Sequence, residues 1–524
     1  MKKIVTGLLL LMLNTGVFAI EEKSKLIVGI TISNFYPEWL DIYKTSFCEG
    51  GFKKMMLYGK KTMADYNYMF SQTGVDHATI YTGMLPSSHG VVAHNWYDRL
   101  REKRRSNVIN DTYRLLGEEG ESGEGVAPDY MEALTLGGLM KMNNAFSKVY
   151  SIAANSEEAV LSGGAGADLA IWLGEKTGKW VTSSYYHDVM PTWLQDFNRE
   201  IKTDELVKKG WMALADEENN KTAMKLKSKI GLVHGFYYDL MQSKRKYDTY
   251  KIVKATPYMN TLLVDLANEI IKKEQLGRDN ETDLLTVNFS CLDYMNRDYD
   301  VYSREFEDVV LRLDRDLERL FVQLDQSVGR GNYVVFLTFS EARELLPKDL
   351  QRIRQKSGNF SIFKAVALLK SFMSLMYGQG EWVADYDATQ IYLNRELVEK
   401  QKLSLKDMQD KIANFMVEFE GVSHVMTASA LTHNSFAGGT GALFQHSFSQ
   451  KKSGDVMYSL QNNFVSELKD REDYFARYSK RHNVPLYIYG SQIAKELQPE
   501  CQMTDLLKEL CKALKIPVPY SFSR

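Results

Sequence analysis

Three nearly uninterrupted apolar runs constrain this chain most. They are Lys25-Leu-Ile-Val-Gly-Ile-Thr-Ile32, Leu284-Leu-Thr-Val-Asn-Phe289 and Tyr333-Val-Val-Phe-Leu-Thr-Phe339. Runs this short and rich in β-branched and aromatic residues read as strands buried on both faces, the habit of parallel sheets covered by helices. Lys148–Ala153 and Val484–Tyr489 read as two further strands of the same kind. Between them, Ser303 to Val328 carries Phe306, Val310, Leu313, Leu317, Leu320 and Leu324 on one helical stripe. Strands alternating with helices predict an α/β fold, an α/β/α sandwich with a mostly parallel central sheet. Ligands of such sheets bind beyond the carboxyl ends of the strands. Those ends carry Ser33, Ser290 to Asp293, and Ser340-Glu341.

The 524 residues have a net charge of only -2, so no strong field draws the chain to nucleic acid or an anionic membrane. The 30 Tyr and 24 Phe exclude a disordered chain. Lys2 and Lys3 precede an apolar run, Ile4 to Phe18, that ends at Ala19. This is the pattern of a cleaved signal peptide over residues 1–19, too short for a span of ~20 residues. No Cys follows it, which argues against a lipid anchor, and no later stretch is apolar enough for a membrane span. A periplasmic or secreted protein is expected. Cys48, Cys291, Cys501 and Cys511 form no CxxC pair, and with Thr504 to Leu514 read as a helix they are expected to be buried free thiols.

Residues 20–524 read as one domain with two insertions, a helical one at 190–255 over the crevice and a smaller α/β unit at 345–450. Residues 99–127 read as a solvated loop, with a basic cluster from Arg99 to Arg105 and then an acidic, Gly-rich stretch.

The segment Ser71-Gln-Thr-Gly-Val-Asp-His-Ala-Thr-Ile-Tyr-Thr-Gly-Met-Leu-Pro-Ser-Ser-His-Gly90 resembles the nucleophile segment of the alkaline phosphatase superfamily. The resemblance is to the periplasmic branch that uses a single threonine, neighbours of nucleotide pyrophosphatases/phosphodiesterases. It places the nucleophile position on Thr73. It extends along the mature chain through His89–Asp98, Thr177–Tyr186, Asp308–Leu317, Gln390–Asn394, Lys452–Val456 and Met503–Leu506. The family's chemistry uses two Zn²⁺ ions held by Asp and His, which activate the nucleophile and clamp the phosphate, with basic side chains holding the remaining charge.

Carried over residue by residue, most of that machinery is missing. The metal-binding Asp that ends the first strand is Ser33. The Asp-x-x-Gly-His element reads Asp293-Tyr-Met-Asn-Arg297, so its Asp survives as a possible metal ligand and its His is Arg297. Thr338-Phe-Ser-Glu-Ala342 puts Ser340 and Glu341 at the next Asp and His. The late His has no counterpart in Tyr474 to Arg481. The phosphate-binding Asn falls on His94, and the paired Lys and Arg fall on Asn155 and Glu157. Ser is a poor zinc ligand and Arg cannot be one. Replacing Lys and Arg by Asn and Glu moves the phosphate clamp from +2 to -1.

The residues also admit plain structural roles. Thr73-Gly-Val-Asp76 fits a capping box, which would make Thr73 a helix N-cap. Asp293 would be a paired buried carboxylate, and His77 and His89 would serve packing and hydrogen bonding. The expectation is a catalytically inactive relative, without a metal cofactor, that binds an envelope ligand or protein partner. The competing expectation is an ester hydrolase with a rebuilt site, perhaps one metal held by Asp293, Glu341 and His94. Arg297 is expected to reach into the vacated metal site and pair with Asp293, Glu341 or both.

Overall fold

The computed structural model describes residues 24–118, 124–214, 236–295 apart from Asp248, Tyr299, 301–467 apart from 343, 344 and 346, 482–490 and 498–518. The apolar runs form the centre of an eleven-stranded sheet. Its strands, in chain order, are β1 (Leu26–Ser33), β2 (Lys60–Asp65), β3 (Ile109–Leu116), β4 (Glu124–Val126), β5 (Val149–Ala153), β6 (Leu169–Leu173), β7 (Trp180–Ser183), β8 (Asp283–Phe289), β9 (Tyr333–Ser340), β10 (Asn483–Tyr489) and β11 (Glu500–Gln502). The spatial order is β11-β2-β10-β9-β1-β8-β5-β6-β7-β3-β4. β9, β1, β8, β5 and β6 pair in parallel. β10, β7 and β4 run against the rest. β1, β8 and β9 are buried throughout, as their uniform hydrophobicity requires.

Helices α1 (Thr73–Thr82), α2 (Ser156–Gly163), α3 (Tyr258–Lys273), α4 (Cys291–Tyr294) and α5 (Arg304–Ser327) position the site or pack against the sheet. The long amphipathic stripe forms α5, started by Ser303, whose hydroxyl accepts the Phe306 N–H. The described residues of the 190–255 region include four short helices and the hairpin Trp211–Met212/Tyr237–Tyr238. It is pinned to α5 by Trp211 Nε1 donating to Asp308 Oδ2 at 2.8 Å. A separate antiparallel four-stranded sheet, in the order Val383–Tyr386, Gln390–Leu393, Val456–Leu460 and Val422–Thr427, has its own hydrophobic core. Phe70 enters that core from the main body, edge-on to Phe444.

Two expectations change. The Val484–Tyr489 strand is antiparallel to both neighbours, because burial of an apolar run does not encode its direction. Residues 99–118 and 124–127 are not a solvated loop, and 119–123 lie outside the described residues. Lys103–Ser106 pairs with Asn95–Asp98, and β3 and β4 extend the main sheet. The arginines of the basic run meet carboxylates: Arg104 with Asp385, 281 positions on, and Arg99 with Asp455, 356 positions on. Local composition cannot reveal partners so distant. All four cysteines are free, Cys291 and Cys511 buried, Cys48 and Cys501 half-buried. No described helix is long and apolar enough to cross a membrane, and residues 1–19 lie outside the described residues.

Candidate functional site: the Thr73 pocket

Ser33 and Ser340 are register partners at the carboxyl ends of β1 and β9. Their hydroxyls are hydrogen-bonded at 2.8 Å, and both side chains are fully buried. His77 on α1 lies against the pair, its Nε2 3.5 Å from Ser33 Oγ and 3.4 Å from Ser340 Oγ. Its Nδ1 meets Ser162 Oγ at 2.9 Å. Burial lowers the His77 imidazole to about 3, so the ring is neutral here. His89 is likewise buried, lowered to about 3 by desolvation and then by Lys452, and bonded to Thr79 and the Val91 N–H. Both histidines therefore serve packing and hydrogen bonding.

The chain leaves both strands through left-handed residues, Asn34 (φ 55) after β1 and Glu341 (φ 42) after β9. Non-glycine residues in this region carry strain and persist only where surroundings hold them. Asn34 N donates to Ser340 O at 3.0 Å, and Glu341 N donates to Asp76 Oδ2 at 2.7 Å. Asp76 also accepts Ser71 Oγ at 2.5 Å and Tyr68 OH at 2.6 Å. Burial raises its carboxyl to about 7 despite these donors. The capping-box expectation thus fails. Gln72 is the N-cap of α1, Thr73 is its first residue, and Asp76 points away to hold the Glu341 turn.

The Thr73 hydroxyl lies 3.0 Å from Glu341 Oε2 and 3.1 Å from Asp293 Oδ2, and Thr73 N donates to Glu341 Oε2 at 3.3 Å. Asp293 comes from α4, immediately beyond β8. A single hydroxyl proton is shared by two carboxylates. The negative surroundings oppose formation of an alkoxide on Thr73, the reverse of what metal ions do for a nucleophile.

The positions to which the family resemblance assigns the phosphate clamp are acidic as well. Asn155 is the N-cap of α2, accepting the Glu158 N–H at 3.0 Å. Glu157 accepts Asn107 Nδ2 at 2.9 Å and pairs with His94 Nδ1. It packs so close to α1 that a Cβ at Gly74 would fall 2.7 Å from its Oε1, so glycine there permits the approach. His94 is half-exposed, and its backbone N–H donates to Gln72 Oε1 at 2.7 Å. Glu158, also on α2, is buried beside Asp293. Burial raises it to about 8, the Asp293 charge adds to the rise, and contacts with Ser290 and Asn155 oppose it.

Ser33, Thr73, Asp293, Ser340 and Glu341 therefore gather at one end of the sheet, with Asn155, Glu157 and His94 at the former clamp. Arg297 and residues 474–481 lie outside the described residues. Sequence reasoning missed Tyr68, Ser71, Gln72, Asn107 and Glu158. One signal was available: every residue of α1 after Thr73 is buried, so an Asp within it had to find donors. The donor set does not fit a pair of zinc ions. Two expected ligand positions are hydroxyls bonded to each other, and no group of three or more His, Cys, Asp or Glu among the described residues could hold a metal.

A parallel-centred sheet with a threonine-headed helix at its carboxyl edge defines an alkaline phosphatase-like α/β fold. The chain belongs to the type I phosphodiesterase / nucleotide pyrophosphatase family, whose profile matches residues 27–338. It is 27% identical to the alkaline phosphatase PafA of Elizabethkingia meningoseptica over 95% of this chain and 92% of that protein. It is 28% identical to a protein of Myroides odoratus named calcium-transporting ATPase, over 95% and 93%. The crystal structure of wild-type PafA superposes with a TM-score of 0.86 at 26% identity, covering 95% of this chain and 97% of the other.

Proposed function

We propose that this is a catalytically inactive alkaline phosphatase-like protein, exported by its signal peptide, that acts by binding an envelope ligand or protein partner. The observation that carries the reading is the convergence of Asp293 and Glu341 on the Thr73 hydroxyl, at 3.1 and 3.0 Å, where a nucleophile would need positive charge. The Ser33–Ser340 hydrogen bond and the acidic Glu157 point the same way. A phosphate ester entering this pocket would meet repulsion in place of a clamp.

A second reading rests on the same contact. A carboxylate 3.0 Å from a hydroxyl also has the spacing of a general base and its nucleophile, which suits an ester less anionic than a phosphomonoester. A single metal on Asp293, Glu341 and His94 receives no support from His94, which is engaged with Glu157. The deciding experiment measures bound metal in the purified protein, together with phosphomonoesterase and phosphodiesterase assays with added Zn²⁺. Rates at background, unchanged by Thr73→Ala, are expected. A zinc-dependent rate abolished by Thr73→Ala would overturn the proposal.

A further inference from the structure

Away from Thr73, a cleft of about 460 Å³ opens at the junction of the main body and the smaller unit. Its size falls within the usual range for small-molecule sites. Six cations line it: Arg99, Arg101, Arg105, Arg395, Lys451 and Lys452.

Buried carboxylates hold four of these cations in place. Asp455, fully buried, accepts Arg99 Nη2 at 3.3 Å and Arg395 Nε at 2.8 Å. Asp98, also buried, accepts Arg101 Nη1 at 3.2 Å and lies 3.6 Å from Arg105 Nη1. Each aspartate thus orients two guanidinia while cancelling only one charge. Lys452 Nζ donates to the carbonyls of Gly90 (2.7 Å) and Tyr130 (2.6 Å), which fix it without neutralising it, and Glu132 is 3.6 Å away. Counting Asp129 and Glu132 on the rim with the two aspartates, six cations face four carboxylates. Behind the wall, the buried Trp96 Nε1 and Arg99 Nε have no acceptor among the described residues. A local excess of two positive charges on a chain of net charge -2 needs a use.

We propose that this cleft is a binding site for a small polyanion carrying two or more phosphate or carboxylate groups. Guanidinium forks match both oxyanions, and arginines already held by buried carboxylates lose little freedom on engaging a ligand. The site is independent of the Thr73 pocket, since none of its lining residues is a described partner of Thr73, Asp293 or Glu341.

The test is calorimetric titration of the full mature protein with tripolyphosphate and, separately, citrate, in low-salt buffer. Arg101 and Lys451 reach solvent, so the double variant Arg101→Ser/Lys451→Ser should fold normally. It should bind about tenfold or more weakly, whereas Lys400→Ser/Lys406→Ser, with the same charge change elsewhere, should bind like the parent. Binding of tripolyphosphate alone would identify phosphate as the recognised group, and binding of both would extend it to carboxylates. The proposal is overturned if neither anion binds up to about millimolar concentration. Equal affinity in the two double variants, or binding restricted to a long polyanion such as heparin, would overturn it too.

Discussion

Ser33 and Ser340 sit side by side on adjacent parallel strands, and each hydroxyl is the other's nearest hydrogen-bond partner, at 2.8 Å. At two positions where the family pattern has metal-binding aspartates, a neutral pair now bridges the strands. Its energetics should be strongly non-additive. Ser33→Ala or Ser340→Ala alone leaves the remaining buried hydroxyl only its longer contact with His77 Nε2, at 3.4 or 3.5 Å, and should cost ~1–3 kcal/mol. The double variant should cost less than the sum, with a coupling of about 1 kcal/mol. Urea unfolding of the four proteins measures this, and strict additivity would remove the pair from the account of the site.

The acidic clamp predicts a gain of binding. Asn155→Lys/Glu157→Arg restores the charge that the family pattern places there. Calorimetry at a fixed ionic strength should detect phosphate binding at the Thr73 pocket that is absent when both positions are native. Lys at the α2 cap should cost ~1 kcal/mol of stability, since Asn155 caps the Glu158 N–H. If the variant folds and phosphate still fails to bind there, charge at the clamp is not what excludes it.

Glu158 makes stability pH-dependent in a definite direction. Its folded value is about 8, above the ordinary 4.5, so between those limits the folded state holds a proton that the unfolded state has lost. Stability from this group is full below the lower limit and falls as pH rises through the window. Asp76, raised to about 7, has the same sign, while His77 and His89, lowered to about 3, add stability as pH rises to the ordinary histidine value. The Glu158→Gln difference isolates the carboxyl. The variant should melt progressively higher than the parent as pH rises from near neutrality toward 8, and parallel melting curves would contradict this.

Two carboxylates are directed at one hydroxyl, and Arg297 follows Asp293 by four positions in the sequence. Asp293 and Glu341 are half-buried, so Arg297→Ala is expected to destabilise the protein by ~1.5–3 kcal/mol, the scale of one lost charge-assisted hydrogen bond. Thermal unfolding of the variant tests this. A change under ~1 kcal/mol would place Arg297 outside the pocket's charge balance.

The sheet centre was legible because β1, β8 and β9, buried along their whole length, are mostly apolar, and Ser303 announced the start of α5. The ends of those strands were legible as site positions for the same reason. Thr73 was misread as a cap because a Thr-x-x-Asp spacing suits either a capping box or a buried helix whose acid bonds elsewhere, and the sequence does not show that Tyr68 and Ser71 fold back on Asp76. The Arg99–Arg105 run was misread because its counter-charges, Asp385 and Asp455, come from the smaller unit. In the first case the partners are near in sequence but the fold-back that joins them is not encoded by spacing; in the second they lie outside the window that local pattern can weigh.

The Ser33–Ser340 contact also bears on reversibility. A single return to aspartate at either position would set one negative charge in a fully buried spot, with only neutral described neighbours, the opposite serine and the His77 imidazole, beside it. On the proposed function, regaining a metal centre would therefore be uphill until several ligands returned together. On that reading the hydroxyl pair would act as a ratchet, holding the chain on the branch it has taken.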